Sequence, residues 1–223
     1  MVVGGDGTML QAIRSHWRDR LPFFGVNAGH LGFLLNARDK VPEGVVPEEG
    51  LMLRHMPLLY VETDGVDGET RNDLAFNDTW VERAASQTAW VEVKINGQVR
   101  IPKLVSDGVL LATAAGSTAY ARSMGASPLL ADSPALVLVG SNVMMPPGFR
   151  SALLSLDATV ELTSLGGEKR PLDAYVDGIY QGKVRALRAR ASRIAAVEIA
   201  FCPSHDMAEK IAQIQFPQWG MMF

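Results

Sequence analysis

The chain has 223 residues, 48% of them hydrophobic and 20% charged, with a formal net charge of −3; this is enough apolar content for one sizeable core or two smaller ones. No excess of Lys and Arg is present to displace the counterions of a polyanion, which counts against a general nucleic-acid binder, and no apolar run reaches the roughly 20 residues of a membrane-spanning helix. The first residues lack the layout of a secretion signal, and the single Cys202 cannot form an internal disulfide, so the composition points to a reducing, cytoplasmic setting in which Cys202, next to Phe201, is a small buried hydrophobe.

Met1-Val2-Val3 reads as the end of a buried strand, and Met9 to Arg14 as the first turns of a helix with an apolar i, i+3, i+4 face. Between them lies Gly4-Gly5-Asp6-Gly7-Thr8. Three glycines permit positive φ and close backbone approach, so peptide N–H groups at the helix start can face a ligand's phosphates. Asp6, a carboxylate held where an anion would be repelled, points to chemistry or metal binding; the alternative is a tight turn with Asp6 as its cap. The string is neither a Walker A loop nor G-x-G-x-x-G. Phe23 to Asn27 forms a second short apolar stretch leading into Gly29-His30-Leu31-Gly32-Phe33-Leu34. A three-residue strand with no strand-helix unit visible before it reads as an exposed stub, so this first domain is expected to be incomplete, truncated at its N-terminal side.

From Leu51 to about Cys202 short alternating runs dominate. Leu58 to Thr63, Trp90 to Asn96, Gly108 to Ala112, Ala135 to Gly140, Thr159 to Leu162 and Ala195 to Phe201 read as strands, and Asn96-Gly97 is a two-residue hairpin signal. Lys183, Arg185, Arg188, Arg190 and Arg193 alternate with apolar residues and read as solvated positions of strands and turns. Helical composition returns at His205 to Ile211. The expected fold is an incomplete α/β N-terminal domain of Rossmann or flavodoxin type over residues 1–50, with 203–223 packing back on it, and a larger β-rich C-terminal domain over 51–202. Val41 to Gly50 is the linker candidate.

Two further segments hold polar residues among apolar ones. In Leu74 to Val81, Asn77 and Asp78 sit together; on a strand they would face opposite ways, so a shared ligand requires a bulge or strand end. An amide can pair with an adenine edge and a carboxylate can accept both vicinal hydroxyls of a ribose, whereas the plainer reading is an Asx-type turn. In Ser106 to Ser123 a hydrophobic strand runs through Thr113-Ala114-Ala115-Gly116-Ser117-Thr118 into a helix, where Thr118 could bond a base and Tyr120 stack on it.

Gly4 to Thr8, Gly25 to Asn27 with Gly29 to Leu34, Asn77-Asp78, and Asp107-Gly108 followed by Gly116 to Tyr120, in this order and over nearly the whole chain, resemble the NAD kinase family. Val176-Asp177-Gly178 resembles that family's Asp-Gly turn. Gly-Gly-Asp-Gly-Thr alone is shared with lipid kinases and phosphofructokinases. The resemblance implies a two-domain phosphotransferase that moves a phosphoryl group from ATP or polyphosphate, with Mg2+ arriving with ATP, to the adenosine ribose 2′-hydroxyl of NAD. It implies a homodimer or homotetramer and an NAD-binding β-rich domain. Asp6 would be the base or orienting group, and Gly4, Gly5, Gly7 and Thr8 the diphosphate cradle. Phe33 would line the NAD pocket, Asn77 meet adenine, Asp78 the ribose, Asp107 the nicotinamide end, and Thr118, Ala119 and Tyr120 the base. His30 falls on a motif position but reads as a loop hydrogen-bonder, and His16, His55 and His205 show no metal-ligand spacing.

The chain departs from the family pattern at Ala114 and Ala115, which replace a proline and a hydroxyl, and at Asp78, which stands for Glu. A third departure is Val143-Met144-Met145-Pro146-Pro147, whose methionines read as core or interface packing. A non-catalytic nucleotide-binding module is therefore the alternative of a different class, and a lipid kinase relative the third. In lipid kinases Asn-Glu follows the glycine string almost directly, whereas here Met9-Leu10-Gln11 follows.

Overall fold

The computed structural model describes residues 1–29, 31–41 and 50–216. In chain order the elements are β1 (Val2–Gly4), α1 (Asp6–His16), β2 (Phe23–Asn27), β3 (Met52–Gly65), β4 (Thr70–Ala75), β5 (Asp78–Arg83), β6 (Ala89–Ile95), β7 (Gln98–Ser106) and β8 (Gly108–Thr113). There follow α2 (Tyr120–Ser123), β9 (Ala135–Ser141), β10 (Ser151–Ser155), β11 (Thr159–Ser164), β12 (Leu172–Val176), β13 (Ile179–Phe201) and α3 (Met207–Gln215). His30 and most of the expected linker lie outside the described residues.

The strands form one curled, mostly antiparallel 13-stranded sheet with the path β10-β9-β8-β5-β12-β13-β11-β6-β7. β13 is its hub. Where the alternating Arg and apolar residues suggested strands and turns, one strand of 23 residues runs on, bulging between Ala191 and Ala196 and pairing with β3, β11, β12 and β2. Alternation along β13 puts Val184, Leu187 and Ala189 into the main core with Leu59, Val61, Val81, Val109, Leu111, Leu138 and Val160, while Arg188 points out to Glu62 and Glu161. The Asn96-Gly97 hairpin forms with both residues at positive φ, 53° and 74°, which is what a tight hairpin turn demands.

The expected stub at the start has neighbours. β1 lies parallel to β2 with Val3 opposite Val26, and β2 runs parallel to the end of β13 with Phe23 opposite Ile199, so the β1-α1-β2 unit is continuous with the large sheet. A second core packs Met9 and Ile13 of α1 with Phe33, Leu35, Phe76, Ile199 and Phe201, and Ile211 and Ile214 of α3 join it. Asp206 caps α3 by accepting the Glu209 N–H at 2.9 Å. Cys202 is buried. Met144 and Met145, read as core or interface packing, are exposed on the single chain and so lie outside its core.

Candidate active site

α1 begins at Asp6, directly after Gly5. Gly4, Gly5 and Gly7 are not at positive φ, contrary to the sequence expectation. Their reasons are separate. A Cβ on Gly4 would lie 2.5 Å from the Thr8 hydroxyl, whereas a Cβ on Gly5 or Gly7 would meet nothing within 4 Å. Packing inside this chain therefore explains Gly4 only, and the other two leave bare backbone at a helix N-terminus, where amides can approach an anion. Thr8 is not equivalent to them, since its N–H already donates to the Gly5 carbonyl at 3.0 Å.

Asp6 turns away from that backbone. Its two carboxylate oxygens accept the N–H groups of Phe33 at 3.0 Å and Leu34 at 2.9 Å, so the aspartate of the first motif holds the second. Lys210 of α3 grips the same loop by donating to the carbonyls of Gly32 and Leu35, each at 2.6 Å. Burial lowers the Lys210 pKa while the Asp6 charge raises it. The Phe33 ring packs in the second core, and its amide ties the loop to Asp6. Lys210 was invisible as a site residue because it lies 178 positions from Gly32 on a helix that reads simply as amphipathic.

Asn77 and Asp78 sit where β4 has ended and β5 begins, the strand end that a shared ligand requires. Their backbone is fixed on every side. Asp177, with its side chain fully buried, accepts the N–H groups of Phe76 at 2.7 Å, Asn77 at 2.8 Å and Asp78 at 3.1 Å, and the Arg14 guanidinium closes on it at 3.2 Å. Thr113 donates its N–H to the Asn77 carbonyl at 2.9 Å and its hydroxyl to the Phe76 carbonyl at 2.7 Å. Gly116 lies against the same turn so closely that a Cβ would come 2.1 Å from the Asn77 carbonyl oxygen. The Gly-Ser-Thr segment is thus shaped by the Asn-Asp segment it touches. The expected helix after it is a 3-10 turn at Ala115–Thr118 followed by the four-residue α2. Ala115 fills the second core, and Thr118 spends its hydroxyl on the Ala115 carbonyl at 3.2 Å.

The side chains of Asn77 and Asp78 make no hydrogen bond or ion pair with any described residue. An Asx turn would use them to satisfy local backbone, so the plainer reading of this pair does not hold. An unpaired carboxylate only 4% exposed is costly when ionised. Burial, and then the Asp177 charge, push Asp78 up from 3.8 to about 7. Burial also raises Asp177, but three amides and Arg14 pull it back, so the proton retained by this pair belongs to Asp78.

A folded-state value above the unfolded one means that the folded chain holds a proton which the unfolded chain releases between about pH 4 and pH 7. Stability from this group is then full below that window and lost as pH rises through it. Asp78→Asn, neutral at every pH, should remove the loss. Its melting temperature at pH 8 is expected to exceed the parent's by roughly 5 °C or more and to converge with it toward pH 4. Parallel melting curves at the two pH values check this.

Beyond Asp78 on the same face of β5 stands Trp80. Its ring stacks on Tyr175 at 4.7 Å and meets Tyr120 edge-on at 5.1 Å, and Tyr175 leans on Tyr180. Tyr120 also borders a 440 Å³ pocket with Asp107, Glu82, Arg83 and Asn142. Asp107 is held there by Arg83 and by the Asn142 amide, each at 2.7 Å. Trp80 and Tyr175 escaped sequence reading because strand aromatics look like ordinary packing. Among the described residues no group of three or more His, Cys, Asp or Glu forms a metal cage, and no helix is long and apolar enough to cross a membrane.

Comparison with known proteins gives concordant matches. Residues 1–43 match the family model described as the ATP-NAD kinase N-terminal domain. The NAD kinase of Brucella melitensis is 36% identical over 219 residues, covering 97% of this chain and 84% of that protein. Those of Mesorhizobium japonicum and Rickettsia bellii are 34% and 32% identical over 218 residues with the same coverage. Among solved structures, yeast NADH kinase complexed with NADH superposes with a TM-score of 0.82 at 22% identity, over 99% of this chain and 67% of that one. An NAD kinase from Archaeoglobus fulgidus in complex with ATP gives 0.69 at 22% identity, over 94% and 80%. At such identity the two structures speak to the fold alone.

Proposed function

Because the chain belongs to the NAD kinase family, we propose that it uses the geometry above to transfer the γ-phosphoryl group of ATP to the 2′-hydroxyl of the adenosine ribose of NAD. The 2′-oxygen bonds to the γ-phosphorus, the bond from that phosphorus to the β–γ bridging oxygen breaks, ADP leaves and the hydroxyl proton is released. Such a reaction needs alignment and charge neutralisation more than covalent help. The observation that carries the assignment is the pair of unbonded side chains, Asn77 and Asp78, on a backbone immobilised by Asp177 and Thr113. They offer an amide for adenine and a carboxylate for ribose hydroxyls, at no cost in reorganising the turn.

In this reading the bare amides at Gly5 and Gly7 receive phosphate oxygens, with Gly4 shaping the turn. Asp6 keeps a further lone pair on each oxygen beside its two amide bonds and can accept the 2′-hydroxyl proton or orient it. Tyr120, backed by Trp80, takes the base together with Ala119 and Thr118, and Asp107 faces the nicotinamide end. The Phe33 amide, through Asp6, sets where the hydroxyl lies. Magnesium bound to the ATP phosphates would take its remaining ligands from water, as the ion commonly does with nucleotides, and would neutralise the transferring group. The proposal extends to a homodimer or homotetramer, to a cytoplasmic location, in keeping with the single free cysteine, and to a division into residues 1–50 with 203–223 and residues 51–202. The hold of Lys210 in α3 on the Gly32 and Leu35 carbonyls supports placing α3 with the first unit.

Purified chain incubated with NAD, ATP and Mg2+ should form NADP, read by an NADP-specific dehydrogenase, and replacing ATP by polyphosphate identifies the donor range. Tight NAD binding with no NADP formed under either donor would favour the non-catalytic module.

A further inference from the structure

A cavity of about 710 Å³ opens between α1, β3, β4 and the bulge of β13, and none of the residues assigned above to the nucleotides lines it. Its rim carries five arginines: Arg14, Arg18, Arg20, Arg190 and Arg193. In a chain of net charge −3 this is a local reversal of sign. Only Arg14 is neutralised, by Asp177 at 3.2 Å and Asp73 at 3.5 Å. Among the described residues the other four have no carboxylate partner; Arg18 lies over the Trp17 ring and Arg190 over Tyr60. Like charges gathered round a concavity repel one another unless an anion enters, and focused positive potential draws anions in.

Ile13, Trp17, Leu58, Leu74 and Phe76 form an apolar floor, and the two carboxylates of the lining, Asp73 and Asp177, are both paired with Arg14. Guanidinium forks match phosphate or carboxylate, and an aromatic and aliphatic floor of this size suits a small organic molecule rather than a bare ion. The arginine wall is also held in place: Arg190 sits in the ladder opposite Tyr60, and Ser192 accepts the N–H groups of Ile194 and Ala195 at 3.3 and 2.9 Å, fixing the bulge that carries Arg193. We propose that this cleft is a second binding site, for an organic anion with an aromatic or apolar body and a phosphate or carboxylate head, and that its occupant regulates the first site.

The coupling runs through Arg14. That guanidinium faces the cleft and also holds Asp177, whose carboxylate fixes the backbone of Asn77 and Asp78. An anion that draws Arg14 toward itself takes the counter-charge from Asp177 and loosens the turn that presents Asp78. Binding at the arginine cleft therefore weakens NAD binding, and by linkage NAD weakens the anion by the same factor. This second half of the proposal rests on the assignment of Asn77 and Asp78 to NAD; the first half does not.

The test uses the whole chain and 1-anilinonaphthalene-8-sulfonate, an aromatic anion whose fluorescence reports its environment. The parent is expected to bind it saturably, with at least about 10-fold weaker affinity in Arg18→Gln/Arg193→Gln, two exposed positions outside the nucleotide machinery, and unchanged affinity in Asp78→Ala. Affinity within twofold of the parent in the arginine variant, or loss in Asp78→Ala instead, overturns the site. In the second arm a saturating probe should raise the NAD dissociation constant several-fold in the parent and not in the arginine variant. A parent NAD affinity that ignores the probe, while the first arm holds, overturns the regulation and leaves the site. Failure of the NAD assignment would show separately, as NAD affinity unchanged by Asp78→Ala without the probe.

Discussion

Asp6→Asn should lower turnover by about 100-fold or more while changing NAD affinity little. Asp6 has two tasks in the structure, and the substitution harms both. One oxygen becomes an NH2 group facing an amide that previously donated to it, so either the Phe33 or the Leu34 N–H loses its acceptor, at a cost of roughly 1–3 kcal/mol. Lys210 still holds the Gly32 and Leu35 carbonyls, so the loop stays in place as a whole and the fold survives. What shifts is the relation of the loop to the head of α1, and misplacement of about 1 Å at a reacting centre costs on the order of 100-fold in rate. The Asn77 and Asp78 side chains are untouched, which is why affinity should hold. Steady-state kcat and KM with a direct NAD titration separate the outcomes. Unchanged turnover would remove Asp6 from the mechanism, and a loss confined to binding would make it a substrate contact.

Asp177→Asn is expected to be the most damaging single change to the fold near the site. The wild-type carboxylate is fully buried and serves three amides and a guanidinium at once. An amide side chain offers one acceptor oxygen in place of two and leaves Arg14 only its longer carboxylate contact, with Asp73 at 3.5 Å, so the orphaned amides and the lost buried half of the ion pair together cost roughly 3–5 kcal/mol. For a chain of this size that is a fall in melting temperature of roughly 6–20 °C. NAD affinity should fall at least about 10-fold with it, because the turn bearing Asn77 and Asp78 loses its anchor. Arg14→Gln, which leaves Asp177 and its three amide donors in place, should cost less on both counts. Calorimetric melting and NAD titration on the two variants check the ordering; equal or reversed losses would mean that Thr113 and Gly116 hold the turn without Asp177.

Legibility in the sequence followed how local each cause was. The Asn96-Gly97 hairpin could be read because its geometry needs two consecutive positive φ values, a demand met inside two residues. The helix at Met9 to Arg14 and the glycine string before it were likewise local. The 23-residue length of β13 was not, because a strand that pairs with four others alternates under several constraints at once, and its arginines resembled turns. β10 and β12 were missed for a similar reason: Ser151–Ser155 and Leu172–Val176 are short and become strands through their neighbours. Asn77, Asp78 and Gly116 were singled out as motifs, yet the contact between Gly116 and Asn77, 39 positions apart, follows only from β5 pairing with β8. Asp177 was noticed as part of an Asp-Gly turn. Its partnership with Arg14, 163 residues away, had no signature in either segment.

The account stands most directly on where the dinucleotide is read, and calorimetric titration of NAD at pH 8, above the Asp78 pKa of about 7 so that its carboxylate is ionised, into the parent and into Asp78→Ala measures that. A dissociation constant raised by about 10-fold or more, as expected for loss of a charge-assisted hydrogen bond of roughly 1.5–3 kcal/mol, with the melting temperature at pH 8 maintained or increased, is the expected result. An NAD dissociation constant within twofold of the parent would contradict it and return Asn77-Asp78 to a structural role.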